Sequence, residues 1–240
     1  LDQPESVNDH TARERIAAER PDAVLICAFG ALIEEPLLSA HPMLNVHPSL
    51  LPRWRGAAPV ERAIEAGDAE TGVSIMKPIA EMDAGPVFLQ ERERIRPDDD
   101  YGSLAPRLAA VGGELLVRAL DESPPPHDQP GDGVTEAPKI GAEDRRLDPA
   151  MDAEALARRV GALNPHIGTW IPLEGEERLG VAAATPAPRG PAPGALASED
   201  GRLLFGCAGG ALELLRVKPP GGREMEAADW ARGHKESLQP

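Results

Sequence analysis

The chain has 240 residues, enough for one large domain or two ordinary ones; 41% are hydrophobic but only 3% aromatic, so its core must be aliphatic. Its 25 basic residues face 40 acidic ones, and the resulting net charge of −15 favours solubility and works against non-specific capture of nucleic acid. No apolar run reaches the roughly 18 residues of a spanning helix, and no basic-then-apolar leader opens the chain, so neither a membrane span nor a secretory signal is expected and the cytoplasm is the expected compartment.

Taken in order, residues 7 to 20 read as a short helix capped by Asn8 or Asp9 and stopped by Pro21. The apolar run DAVLICAFG, residues 22 to 30, fits a strand buried on both faces of a parallel sheet. A helix near 35 to 40 and the strand MLNVH follow, and this βαβ rhythm predicts an open α/β sheet. A helix from Ala58 to Ala66 precedes the strands TGVSIMK and PVFLQERERI. The strands' carboxyl ends are expected to share one edge, where ligands of open α/β sheets sit. Residues 101 to 121 read as a helix weakened by Pro106 and a Gly pair.

The stretch ESPPPHDQPGDG, residues 122 to 133, reads as a linker between a first domain, 1 to 121, and a second, 134 to 240. In the second, a helix near 152 to 163 leads to short strands around 167 to 173, 178 to 184, 202 to 207 and 211 to 217, which suggest a small barrel. Ala182 to Pro193 reads as a long flexible loop and MEAADWARGHKE as a terminal helix. Cys27 and Cys207 lie in apolar strands and are expected as buried reduced thiols; no Cys or His spacing suits a metal.

The most informative stretch is LNVHPSLLPRWRGAAP, residues 44 to 59. Residues i and i+2 of a strand project to one face, so Asn45 and His47 point together from a strand's end. A third candidate, Asp83, stands in EMDAGPVF. An amide, an imidazole and a carboxylate can polarise a carbonyl, hold an oxyanion and move a proton, with the carboxylate raising the His pKa and fixing its ring. No Ser or Cys sits in a nucleophile elbow, so the attacking group would come from a substrate, and acyl-like transfer between two substrates is indicated. Taken singly, a His before Pro and an Asp before Ala-Gly-Pro are also what turns require, and Arg53-Trp54-Arg55-Gly56 can be a solvated basic loop.

Read together, NVHPSLLPRWRGAAPVERAI, GDAETGVSIMK and MDAGPVFLQ closely resemble the methionyl-tRNA formyltransferase family. EAPKIGAEDRRLD, LARRVGALNPHIGTW, GALELLRVKPPGG and REMEAADWARGH resemble that family's carboxyl-terminal domain, so the likeness covers nearly the whole chain. The resemblance implies an α/β, Rossmann-like formyltransferase sheet followed by a β-barrel like an OB-fold. The family begins with a strand, a glycine-containing turn, a helix and a basic loop ahead of the segment that starts here at Gln3, so an amino-terminally shortened form is expected.

The resemblance also implies Asn45, His47 and Asp83 as catalytic triad, and Ser49, Leu50, Leu51 and Pro52 as the tetrahydrofolate-binding stretch. Gly30, Ala31, Leu32 and Ile33, with Ile79, Ala80, Glu81 and Met82, would line the pterin slot. The implied reaction is attack of the α-amine of initiator methionyl-tRNA on the formyl carbon of 10-formyltetrahydrofolate, for translation initiation. Asn45 and a protonated His47 would hold the oxyanion while Asp83 orients His47; a monomer without metal is expected. Arg53, Arg55, Lys139, Arg158 and Arg159 are candidates for tRNA, as are Arg145, Arg146, Lys218, Arg223, Arg232 and Lys235. Residues 124 to 240, with 13 basic against 18 acidic groups, are less acidic than 1 to 123, with 12 against 22. Alternatives are a formyltransferase acting on glycinamide ribonucleotide or an amino sugar nucleotide, a formyltetrahydrofolate hydrolase, and an inactive folate- or RNA-binding fragment.

Overall fold

A computed structural model describes residues 1 to 173 and 175 to 234. The elements in chain order are α1 (His10–Glu19), β1 (Val24–Cys27), α2 (Leu37–Ala40), β2 (Met43–His47), β3 (Arg55–Gly56), α3 (Pro59–Ala66), β4 (Glu70–Met76), β5 (Val87–Arg94), α4 (Tyr101–Glu122) and β6 (Glu136–Ala137). They continue as α5 (Ala153–Leu163), β7 (Thr169–Pro172), β8 (Arg178–Ala187), β9 (Leu196–Glu199), β10 (Arg202–Cys207), β11 (Gly210–Lys218), β12 (Met225–Glu226) and α6 (Ala227–Gly233). Lys235 lies outside the described residues. Among those residues no helix is long and apolar enough to cross a membrane.

Two compact units form, neither of them continuous in sequence. The first comprises Leu1–Pro59, Glu70–Arg94 and Pro106–Lys139; the second comprises Val60–Ala69, Ile95–Ala105 and the chain from Ile140 on. These bounds differ from the ones read in the sequence, because three-dimensional contacts and not composition group the segments. The stretch 122 to 133 also does more than connect. His127 pairs with Val87, each N–H donating to the other's carbonyl at 2.9 and 2.8 Å, so the proline-rich segment is stitched to the first unit.

The first unit's sheet has the order β1-β2-β4-β5. β1 and β2 run parallel, but β4 is antiparallel to β2 and β5 antiparallel to β4. The carboxyl ends therefore do not share one edge: a short direct connection from β4 to β5 returns the chain antiparallel, whereas parallel neighbours need a long crossover. β1 is not buried on both faces either. Ile26 is buried, while Leu25 (47% exposed) and Cys27 face the other side of this edge strand and remain uncovered, so one thiol is exposed; Cys207 is buried as expected.

Helix α4 runs unbroken through Pro106 and the Gly pair. Burial of Leu108, Leu115 and Ala119 outweighs the propensity cost. Gly112 is where the helix meets the sheet: a Cβ there would stand 2.9 Å from Val46 Cγ1 and 3.5 Å from Val73 Cγ1, so β2 is pressed against the helix next to His47.

In the second unit the strands are antiparallel in the order β7-β8-β11-β10-β9, with β12 added on β11. Among the described residues β7 and β9 are not paired, so the sheet is not a closed barrel. β8 continues to Ala187, opposite Ala211, through half of the stretch expected as a flexible loop. The rest is pinned: Gly194 N donates to Gly206 O and Gly206 N to Ala195 O, both at 2.9 Å, and a Cβ on Gly206 would stand 2.2 Å from Ala192 O. Backbone pairing thus orders a segment whose side chains carry no strand signal. α5 opens on Asp152, whose Oδ1 accepts from Ala155 N at 2.7 Å, an ordinary N-cap. The terminal segment is a two-residue strand and then α6, not one helix. The core of this unit gathers Leu147, Leu156, Val160, Ile171, Leu179, Leu203, Leu212, Leu214 and Val217 around Phe205 and Trp230, aliphatic as composition requires.

Candidate active site

Asn45 and His47 are on β2, facing Met76 and Ser74 of β4 in register. His47 is 4% exposed. Its Nε2 lies 2.8 Å from the carbonyl oxygen of Trp54; a carbonyl only accepts, so Nε2 carries the proton. Its Nδ1 faces Asp83 Oδ2 at 3.6 Å. Asp83 lies on the β4–β5 connection, which folds back toward β2, so the pair meets although β4 runs antiparallel. Asp83 Oδ2 also accepts from Gly56 N at 2.9 Å. The Asn45 amide nitrogen donates to Met76 Sδ at 3.6 Å and to neither His47 nor Asp83.

Burial pushes the His47 pKa down; the Asp83 carboxylate and the Trp54 carbonyl oppose this but do not overcome it. The expected rise from Asp83 is therefore present and outweighed, because the ring has lost nearly all its water. With its pKa below the usual 6.5, the ring is neutral near pH 7, its proton on Nε2.

Trp54 (φ 65°) and Asp83 (φ 48°) both occupy the left-handed region, which costs a non-glycine residue about 1–2 kcal/mol. The first conformation turns a carbonyl onto His47 and the second turns a carboxylate onto it. Gly85 completes the pinch: a Cβ there would stand 1.9 Å from Lys77 O.

The segment after His47 is welded to the sheet. Ser49 Oγ donates to Arg53 O at 2.6 Å, Ser74 Oγ donates to Ser49 O at 2.6 Å, and Leu51 N donates to Ser74 Oγ at 3.1 Å. Ser49 and Leu51 are thus buried, and Leu50 and Pro52 half-buried. Leu50 covers Gly72, where a Cβ would meet Leu50 Cδ2 at 2.6 Å. Gly30, Ala31, Leu32, Ile79, Ala80, Glu81 and Met82 are exposed and Ile33 half-buried. Leu32 and Met82 are each 50% exposed and Phe29 46%, so the two loops present apolar side chains to solvent.

The basic residues divide. Arg53 stacks over the Trp54 ring at 4.3 Å, while Arg55 donates to Gln129 and lies 3.5 Å from Glu81. In the second unit Arg158 Nε donates to Glu65 O at 3.1 Å and Arg159 is ion-paired with the Glu65 carboxylate, which Arg62 also holds. Lys139, Arg145, Arg146, Lys218, Arg223 and Arg232 are exposed. No group of acidic, His and Cys side chains able to hold a metal occurs among the described residues. Two site residues escaped the sequence reading: Trp54 acts through its backbone, which has no side-chain signature, and Gln129 sits in a stretch whose composition marks only irregular chain.

The family model described as formyl transferase matches residues 2 to 120, and that described as formyl transferase, C-terminal domain, matches 139 to 235. The chain is 43% identical over 229 residues to the methionyl-tRNA formyltransferase of Leifsonia xyli subsp. xyli, covering 92% of this chain and 75% of that one. The chain belongs to the methionyl-tRNA formyltransferase family. A second family member, from Methylobacterium sp. (strain 4-46), is 41% identical over 250 residues, with 99% of this chain and 78% of the relative covered.

Solved structures share the formyltransferase fold. HypX from Aquifex aeolicus in complex with tetrahydrofolic acid has a TM-score of 0.71 at 21% identity, with 94% of this chain and 41% of that chain covered. Methionyl-tRNA formyltransferase from Clostridium thermocellum has a TM-score of 0.62 at 18% identity, with 76% and 79% covered.

Proposed function

We propose that the chain transfers the formyl group of 10-formyltetrahydrofolate to the α-amine of initiator methionyl-tRNA. The carrying observation is the pair of buried His47 and half-buried Asp83, 3.6 Å apart, with His47 at the end of the strand that also bears Asn45, in a chain of this family. The amine nitrogen attacks the formyl carbon, the tetrahedral oxyanion collapses, the carbon–N10 bond breaks, and the proton lost by the amine reaches N10. Asn45 is assigned the oxyanion, because its present acceptor is a thioether, the weakest acceptor it can have, and is exchanged at little cost. His47 carries the proton: a lowered pKa leaves a neutral ring able to take one, and Asp83 stabilises the charge that then forms.

The exposed apolar surface of Phe29, Leu32, Ile79 and Met82 suits a pterin, with Gly30 to Ile33 and Ile79 to Met82 as its walls and Ser49 to Pro52 as the buried support behind them. The second unit's sheet is read as an OB-like surface for tRNA, with the exposed Arg145, Arg146, Lys218, Arg223 and Arg232 as phosphate contacts; Lys139, also exposed, is the last residue of the first unit. The working state is a cytoplasmic monomer.

The test measures formyl transfer to methionyl-tRNA alongside release of free formate. Asn45→Ala and His47→Ala should each lower the transfer rate by roughly a hundredfold with folate affinity little changed. Near-normal turnover in either variant removes the assigned roles, and formate release without transfer makes the protein a hydrolase.

A further inference from the structure

We propose that Gln129 is a positioning residue for this reaction: its carboxamide ties the turn carrying Asp83 to the Arg55 side chain and thereby sets the Asp83 carboxylate against His47. The inference rests on the function proposed above. Gln129 Nε2 donates to the carbonyl oxygens of Asp83 (2.8 Å) and Gly85 (2.7 Å). Its Oε1 accepts from Arg55 Nε (3.0 Å) and Nη2 (2.8 Å). Both donor hydrogens and both acceptor lone pairs of the amide are thus in use, which leaves no other side chain of that size able to replace it.

The contacts close a ring. Arg55 holds Asp83's carbonyl through Gln129, while the next residue, Gly56, donates its N–H to Asp83 Oδ2 at 2.9 Å. Asp83 is gripped at main chain and side chain by two adjacent residues of β3, and β3 is itself paired with β6, Arg55 opposite Glu136. Asp83 stands in the left-handed region, and the Gln129 amide helps to hold it there. Without it the turn can relax, and a rotation of the Asp83 backbone swings the carboxylate off Nδ1. The groups that face His47 are the Asp83 carboxylate and the Trp54 carbonyl; Arg55 and Glu81 are the charged groups beside the tie. The His127–Val87 pairing delivers Gln129 to this place, so the proline-rich stretch takes part in the site through one amide.

The experiment compares the wild-type chain with Gln129→Ala, Gln129→Glu and, as a control in the same segment, Gly131→Ala, whose added Cβ would meet nothing within 4 Å. Gln129→Ala should lower kcat about tenfold to a hundredfold, as loss of an outer-shell partner does, with KM for both substrates changed less than about twofold. The pH limb belonging to His47, and its ring titration by NMR, should move to lower pH, because the carboxylate that favours the imidazolium is no longer held. Gln129→Glu keeps the acceptor for Arg55 but loses both donors, so it should behave like the Ala variant; Gly131→Ala should behave like wild type. Wild-type kcat in Gln129→Ala, full activity in Gln129→Glu, or a lowered kcat with an unmoved His47 titration overturns the inference, the last by reducing Gln129 to a structural prop. A wild-type chain inactive in transfer sinks the proposed function instead, and the His47 titration of the variants still decides whether the tie exists.

Discussion

His47 has an acceptor at each ring nitrogen and almost no water. The acceptors favour the charged ring and burial disfavours it; burial prevails. The consequence for stability has a definite sign. An unfolded chain protonates this His near its ordinary pKa of 6.5, whereas the native protein resists until lower pH, so the stability linked to His47 is complete above about 6.5 and is lost as pH falls toward the lowered native value. Urea midpoints at pH 7.5 and 5.5 should therefore differ less in His47→Gln than in wild type, and an equal difference would contradict the assignment. Asp83→Asn keeps an oxygen for Gly56 N but removes the charge, so the His47 ring should titrate at still lower pH by NMR and turnover should fall at least about tenfold. Asn45, His47 and Asp83 are all legible as residues in the sequence. The state of the ring is not, because it depends on how much water the fold excludes.

Helix α4 shows how one element carries opposite demands on neighbouring residues. Gly112 is buried where an added Cβ would stand 2.9 Å from Val46 Cγ1, while Gly113 is exposed with nothing within 4 Å. Gly112→Ala should cost about 1–3 kcal/mol through overpacking against β2. Gly113→Ala should stabilise by about 0.5–1 kcal/mol through helix propensity alone. Thermal or urea unfolding of the two variants checks both signs, and equal effects would refute the packing account. Helix α5 meets α3 by charge: the half-buried Glu65 carboxylate is held by Arg62 and Arg159. Glu65→Ala removes that partner from Arg159, while Arg62 keeps Asp144, and should destabilise by about 1–3 kcal/mol. The Gly pair and the Arg pair are visible in the sequence as a weak helix and a basic patch; which glycine faces a strand and which arginine faces a carboxylate depends on partners distant in the chain.

For the whole molecule the question is how a chain of net charge −15 engages a polyanion. Phosphate contacts depend on accessible cations, and Arg159 is not one of them, since its partner is Glu65. Charge reversal there would test folding more than RNA binding. Arg146, Lys218 and Arg223 are exposed, and reversing them together should raise the apparent KM for methionyl-tRNA severalfold and flatten its salt dependence, with folate binding intact. Unchanged KM across salt concentrations would remove this unit from the tRNA reading.

The order of the longer strands and helices and the aliphatic core follow from local pattern, and Asn45, His47 and Asp83 are visible there as candidates, since periodicity, turn chemistry and residue type are properties of neighbours in sequence. Strand direction, the open rather than closed sheet of the second unit, the ordered stretch around Gly206 and the exposed Cys27 do not follow from it. Each is settled by which distant backbone groups pair and which faces are covered. The same holds at the site, where a Trp54 carbonyl and the Gln129 amide complete a geometry that His47 and Asp83 alone leave open, because the first acts through a backbone turn that has no side-chain signature and the second from a position remote in sequence.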